Sequence, residues 1–166
     1  MMIKSVSFFL LLCLACNTSV HTQTQPIIGT VSNGEIRWIQ SPEGLKQQLA
    51  SFVNLHSKID LEYQEIGIKR QSSGYILIAV DPVANATTGV LLTEVNGNLY
   101  EHKDKGGTTI TCEGCMSTGP RSQDECIPVA NDYHVFMYCS DCSNGNCIKT
   151  ITKNVEKLVF YETGRN

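Results

Sequence analysis

The chain has 166 residues, with 13 basic side chains against 16 acidic ones. Lys69-Arg70 is the longest basic run, so the charge pattern lacks the footprint of a nucleic-acid binder and of a polybasic membrane patch. No internal repeat beyond two C-x-x-C pairs and no low-complexity tract interrupts the chain.

The first element is a leader. Lys4 supplies a positive charge, Val6 to Ala15 is apolar apart from Ser7, and Asn17 to Gln25 turns polar. That apolar stretch suits the middle of a signal peptide and is well short of the roughly 20 residues of a membrane-spanning helix. The expected division is a signal peptide over 1–15, a polar tether over 16–26 and a single domain over 27–166, with a cysteine-rich subregion at 112–147. Once Lys4 is lost with the leader, the charge balance becomes about −4. About 144 to 150 residues then remain, enough to bury a core that disulfides reinforce rather than replace.

The run Cys13-Leu14-Ala15-Cys16 resembles the lipobox of small bacterial envelope lipoproteins, with Cys13 standing where Leu is usual. The resemblance covers four residues. It implies lipidation at Cys16 and anchoring in a bacterial envelope membrane, with residues 16–26 as a flexible tether; ordinary cleavage nearby would leave a freely secreted chain. A single acyl chain binds membranes only marginally, so stable anchoring needs at least two. Asn17 and Asn85 each head an N-x-S/T triplet, which carries glycan only in a eukaryotic host.

Glu35 to Ile39 is β-like and follows an Asn33-Gly34 turn signal. The clearest helix comes next: Ser41 is placed to cap it, Pro42 fits its first position and Glu43 favours its positive end. Leu45, Leu49, Phe52, Val53 and His56 then recur at helical spacing. From Leu61 the period changes to that of strands. Strands are expected over Glu62 to Arg70, Tyr75 to Val80, Gly89 to Val95, Leu99 to Lys103 and Thr108 to Cys112, with a loop over Asp81 to Thr88. Tyr75 to Val80 is continuously apolar, as a central strand requires, and Asn96-Gly97 marks a type I′ hairpin. The order predicts an α+β fold, one helix packed on an antiparallel meander sheet and cystatin-like by analogy only.

Six cysteines crowd the last third, spaced Cys112-x2-Cys115-x10-Cys126-x12-Cys139-x2-Cys142-x4-Cys147. Three chemistries fit them. An even count in an exported chain fits three disulfides, whose connectivity the spacing does not choose. Alternatively, Cys112, Cys115, Cys139 and Cys142 offer four thiolates for a structural zinc ion, leaving Cys126 and Cys147 over. The 23 residues between Cys115 and Cys139 make a longer gap than ribbon-type zinc sites use. Thirdly, one C-x-x-C pair would serve thiol-disulfide exchange. Against that stand Glu113 and Asp141, carboxylates inside the two motifs, which raise a thiol pKa rather than lower it. Two β-rich pieces, His134 to Tyr138 and Ile148 to Ile151, lie among these cysteines, and Lys157 to Tyr161 is expected to rejoin the sheet as a last strand.

No nucleophile elbow, H-E-x-x-H motif or phosphate-binding glycine loop is present. His102 and His134 fall in expected strands with no neighbouring nucleophile to activate, and His56, on the apolar stripe of the helix, reads as a partly buried surface residue rather than a catalytic base. The expectation is therefore a non-enzymatic binding or structural module of the cell envelope or extracellular space. It is stabilised by disulfides, needs no cofactor and has an unknown protein or envelope ligand as partner. The turn-rich loops between Glu113 and Asn146 are its expected contact surface. A thiol-disulfide oxidoreductase and a zinc module are the alternatives.

Overall fold

A computed structural model describes residues 25–102, 108–114, 126–133, 137–142, 147–154 and 159–161. Along these, β1 (Gly29–Ser32) and β2 (Glu35–Trp38) precede the helix α1 (Pro42–His56). The strands β3 (Glu65–Gln71), β4 (Gly74–Asp81), β5 (Ala86–Val95), β6 (Asn98–Glu101) and β7 (Thr108–Glu113) follow it. Last come β8 (Pro128–Ala130), β9 (Met137–Cys139) and β10 (Ile148–Lys153). The fold is α+β, one helix on an antiparallel sheet.

The helix begins as its sequence directs. Ser41 is extended (φ −62°, ψ 124°) and its hydroxyl accepts from the Gly44 amide at 3.5 Å, which satisfies one of the donors that a helix start leaves free. At the other end the backbone and hydroxyl of Ser57 both donate to the Val53 carbonyl. Leu45, Leu49, Phe52 and Val53 are buried against the sheet. His56, in the last turn, is exposed and meets the edge of Phe52 at 5.0 Å between ring centroids.

Strands β3 to β6 form the expected meander, and the sheet then forks on β5. One edge of β5 pairs with β4 from Tyr75–Leu92 to Asp81–Ala86. Its other edge is shared: Ala86 to Gly89 pair with β7, and Leu92 to Val95 pair with β6. From β6 the sheet continues through β1 to β2, and from β7 to β10. The expected loop to Thr88 is shorter than the sequence implies. Asp81 accepts from the Val83 and Ala84 amides at 2.9 Å and from Glu62 at 2.7 Å, and Asn85 takes a left-handed conformation (φ 53°). The tight turn that results lets β5 start at Ala86. The residues gained, Ala86 to Thr88, are among those that β7 needs as partners. Both Asn-Gly signals close hairpins with positive φ at Asn33 and Gly34 and at Asn96 and Gly97.

Alternation along the strands produces two cores. Leu77, Ala79, Val90, Leu92 and Leu99 face the helix, joined by Ile28, Val159 and Phe160. Ile76, Ile78, Leu91 and Ile110 face the opposite way, toward Cys112, Cys126, Ala130 and Met137. Tyr75 to Ala79 are buried on both faces, as a central strand should be. The expected strand at Lys157 to Tyr161 is not formed by its described part. Residues 159–161 are irregular because side chains take their amides: Glu101 accepts from Val159 and Phe160 at 3.1 Å, and Gln48 accepts from Tyr161 at 2.9 Å.

Candidate functional site

The site is built where the second core meets the cysteines. Strand β7 alternates Ile110 and Cys112 toward the face away from the helix, and β8 with β9 forms a separate two-stranded antiparallel hairpin over that face. Gly89 makes the close approach possible. A β-carbon there would lie 2.5 Å from Pro128 Cβ and 3.0 Å from Ile76 Cδ1, distances that only its absence permits.

The hairpin is held from both sides. Toward β3 and β4, Gln71 Oε1 accepts from the Ala130 amide at 2.7 Å and the Ser73 hydroxyl donates to the Asn131 carbonyl at 2.8 Å. Toward β7 and β10, two disulfides cross: Cys112 to Cys139 and Cys126 to Cys147, each with 5.6 Å between α-carbons. Between them, Ser140 donates its amide to the Ile127 carbonyl and accepts the Ile127 amide on its hydroxyl, both at 2.9 Å. A short hairpin is marginal alone; here bridges and side-chain hydrogen bonds add to the burial of Ala130 and Met137 in the second core.

Neither C-x-x-C motif closes on itself. Cys112 reaches across to Cys139, and Cys142 is bonded elsewhere, to a cysteine outside the described residues. Cys115 and the lipidation candidate Cys16 also lie outside them, as do His134 and most of the loop between Glu113 and Asn146. The sulfurs of Cys112, Cys126 and Cys139 lie within 4.8 Å of one another. This triad differs from the four C-x-x-C ligands that the spacing offers to zinc. In their bonded state Cys112 and Cys139 present no thiolate, the form in which a cysteine ligates metal. Cys112 and Cys126 are buried, whereas Cys139, Cys142 and Cys147 are partly open to solvent.

A second polar feature lies under the helix. Tyr63 donates to the Thr88 hydroxyl at 2.6 Å, and Thr88 meets Thr111 at 2.8 Å. Burial pushes the Tyr63 phenol well above the usual tyrosine range; the Thr88 bond opposes this and the nearby Asp81 charge adds to it. The chain thus carries a hydrogen-bonded hydroxyl relay that runs from Tyr63 through Thr88 on β5 to Thr111 on β7.

Several of these residues escape sequence reasoning. Glu101 carries a faint signal, because strand alternation puts it on the same face as Leu99, an acid at a core position. Gly89 carries only the general mark of a glycine in a strand, which does not say that Pro128 packs on it; Tyr133 carries none and matters because its turn is pinned. Tyr133 is 84% exposed at the β8–β9 turn and Tyr138 is 44% exposed on β9. Comparison with family models, with curated proteins and with solved structures finds no match for the chain.

Proposed function

We propose that this chain is an exported binding module that presents the β8–β9 hairpin to a protein partner at the cell envelope or in the extracellular space. One observation carries the reading: a hairpin fixed from both sides displays Tyr133 and Tyr138 to solvent. Tyrosine offers a large, amphipathic contact area with few rotors to freeze, so it anchors interfaces efficiently. Pinning the backbone beneath it lowers the ordering cost of binding. The paired cysteines support an oxidising compartment, and no helix among the described residues is long and apolar enough to cross a membrane. On this reading Cys16 holds the chain to an envelope membrane through lipid, and no cofactor takes part.

The test compares the wild type with a Tyr133→Ala/Tyr138→Ala variant as bait in an envelope extract. Both proteins are first shown to keep the same disulfides. A partner captured by the wild type and lost with the variant supports the reading. Identical capture by both, or capture by neither, makes the hairpin a structural elaboration instead. Metal analysis of the same preparations examines the zinc alternative, which requires Cys112, Cys115, Cys139 and Cys142 to be thiolates.

A further inference from the structure

We propose that Cys112, Cys126, Cys139 and Cys147 form a single thiol-disulfide exchange site that takes two electrons from a small dithiol and delivers the resulting thiols to Cys139 and Cys147. The inference does not depend on the binding reading. It starts from an asymmetry that the two bridges share. Each joins a buried sulfur, Cys112 or Cys126, to a cysteine partly open to solvent, Cys139 or Cys147. The buried members belong to different bridges, yet their sulfurs lie within 4.8 Å of each other. Cys126 Sγ also sits 3.5 Å from the Glu113 carbonyl oxygen, which places it alongside the β7 backbone that carries Cys112.

The chemistry follows from where charge can reside. A dithiol thiolate attacks Cys139 Sγ, forming a mixed disulfide and breaking the Cys112–Cys139 bond, and the electron pair leaves on Cys112. That thiolate is buried among Ile76, Ile110 and Met137, an apolar surrounding that disfavours a charged sulfur. Rotation about its side chain brings it onto Cys126 Sγ. A Cys112–Cys126 bond forms, the Cys126–Cys147 bond breaks, and the charge leaves on Cys147, where solvent supplies a proton. The second thiol of the dithiol then attacks its own mixed disulfide, closing to a cyclic disulfide and releasing Cys139. One dithiol is oxidised, one protein disulfide is reduced, and the charge has moved from the core to the surface. Attack at Cys147 instead releases Cys126, which takes Cys112 and expels Cys139. The two routes converge on one product.

That product is the observable. Dithiothreitol is titrated into the full oxidised chain, exchange is quenched with acid, thiols are labelled with N-ethylmaleimide, and unreduced peptides are mapped by mass spectrometry. Reduction at Cys142 shows as labels outside the four cysteines, and the titration continues past it. The expected species carries two labels within the four, on Cys139 and Cys147, together with a peptide pair joined by Cys112 and Cys126. Labels on Cys112 with Cys139, or on Cys126 with Cys147, with the other native bridge intact, would overturn the proposal. So would loss of both bridges together with no two-label species. Binding by the tyrosine face is measured separately, so failure of one reading leaves the other standing.

Discussion

Gly89 shows how much of this fold turns on one missing atom. A β-carbon there would meet Pro128 Cβ at 2.5 Å, so Gly89→Ala must push the hairpin off the sheet. The expected loss is about 1–3 kcal/mol of unfolding free energy in urea, the usual range for overpacking. Gly67 on β3 meets nothing within 4 Å, and Gly67→Ala is expected to be neutral or slightly stabilising in the same assay. Tyr63 permits a test by pH. Its phenol holds its proton in the folded chain well past the point where an unfolded tyrosine releases one. Above that ordinary value the unfolded state binds fewer protons than the folded state, so stability falls as pH rises. Tyr63→Phe removes one buried hydrogen bond, costing about 1 kcal/mol at neutral pH, and also removes this alkaline loss. Urea unfolding at pH 9 and pH 11 should show the gap between wild type and variant shrinking by about 1 kcal/mol; an unchanged gap would mean that Tyr63 titrates normally. Neither residue announces itself in sequence. A glycine inside a strand marks a close approach without saying to what, and Tyr63 reads simply as an apolar strand residue until Thr88 and Thr111 are brought to it.

Elements were more legible than single residues, and the reasons are local. Ser41, Pro42 and Glu43 start α1 where capping chemistry says they should, and the two Asn-Gly turns set the registers of β1–β2 and β5–β6. The forked pairing of β5 was not legible, because it depends on Asp81 tightening a turn by accepting the Val83 and Ala84 amides. The C-terminal segment departs from its sequence pattern for a related reason. Val159 and Phe160 have the pattern of a strand, yet their amides go to the carboxylate of Glu101, itself buried at 2% exposure. Glu101→Gln places an amide donor against one of those amides. The expected cost is about 1.5–3 kcal/mol, the range for a hydrogen bond to a charged group, with faster amide exchange at 159–161 than in the wild type. Unchanged exchange there would show that apolar packing of Val159 and Phe160 alone holds the segment. At the hairpin, Cys126→Ser/Cys147→Ser opens a loop spanning 21 residues. The chain-entropy relation puts its contribution at about 3 kcal/mol. Thermal unfolding of this pair variant should show that loss, and a negligible change would mean that Gln71, Ser73 and the Cys112–Cys139 bridge suffice to seat the hairpin.

At the scale of the molecule, three layers share one sheet. The helix covers one face, the disulfide-held hairpin covers the other, and β5 carries the pairing that joins both halves. Composition and periodicity made the helix and sheet layers legible, since both follow from local pattern. The third layer was legible only as a crowd of cysteines. Its strands have three residues each, too few to show a period, and its connectivity depends on which sulfurs the sheet brings together. The bridges cross in sequence, Cys126 lying inside the span of Cys112–Cys139 and Cys147 outside it, so β7, the hairpin and β10 are locked as one unit. That lock gives the exposed tyrosines a rigid base, and it also sets two buried sulfurs of different bridges side by side. Both functional proposals rest on it. The direct test is disulfide mapping of the exported protein, with free thiols alkylated at low pH before any reduction. The account predicts no alkylation from Cys112 to Cys147 and peptides joining Cys112 with Cys139 and Cys126 with Cys147. It also predicts a third linkage, from Cys142 to Cys115, the one cysteine of that third left to pair with it. A bridge closed within either C-x-x-C motif, or free thiols at Cys112 and Cys139 around a bound metal, would contradict it.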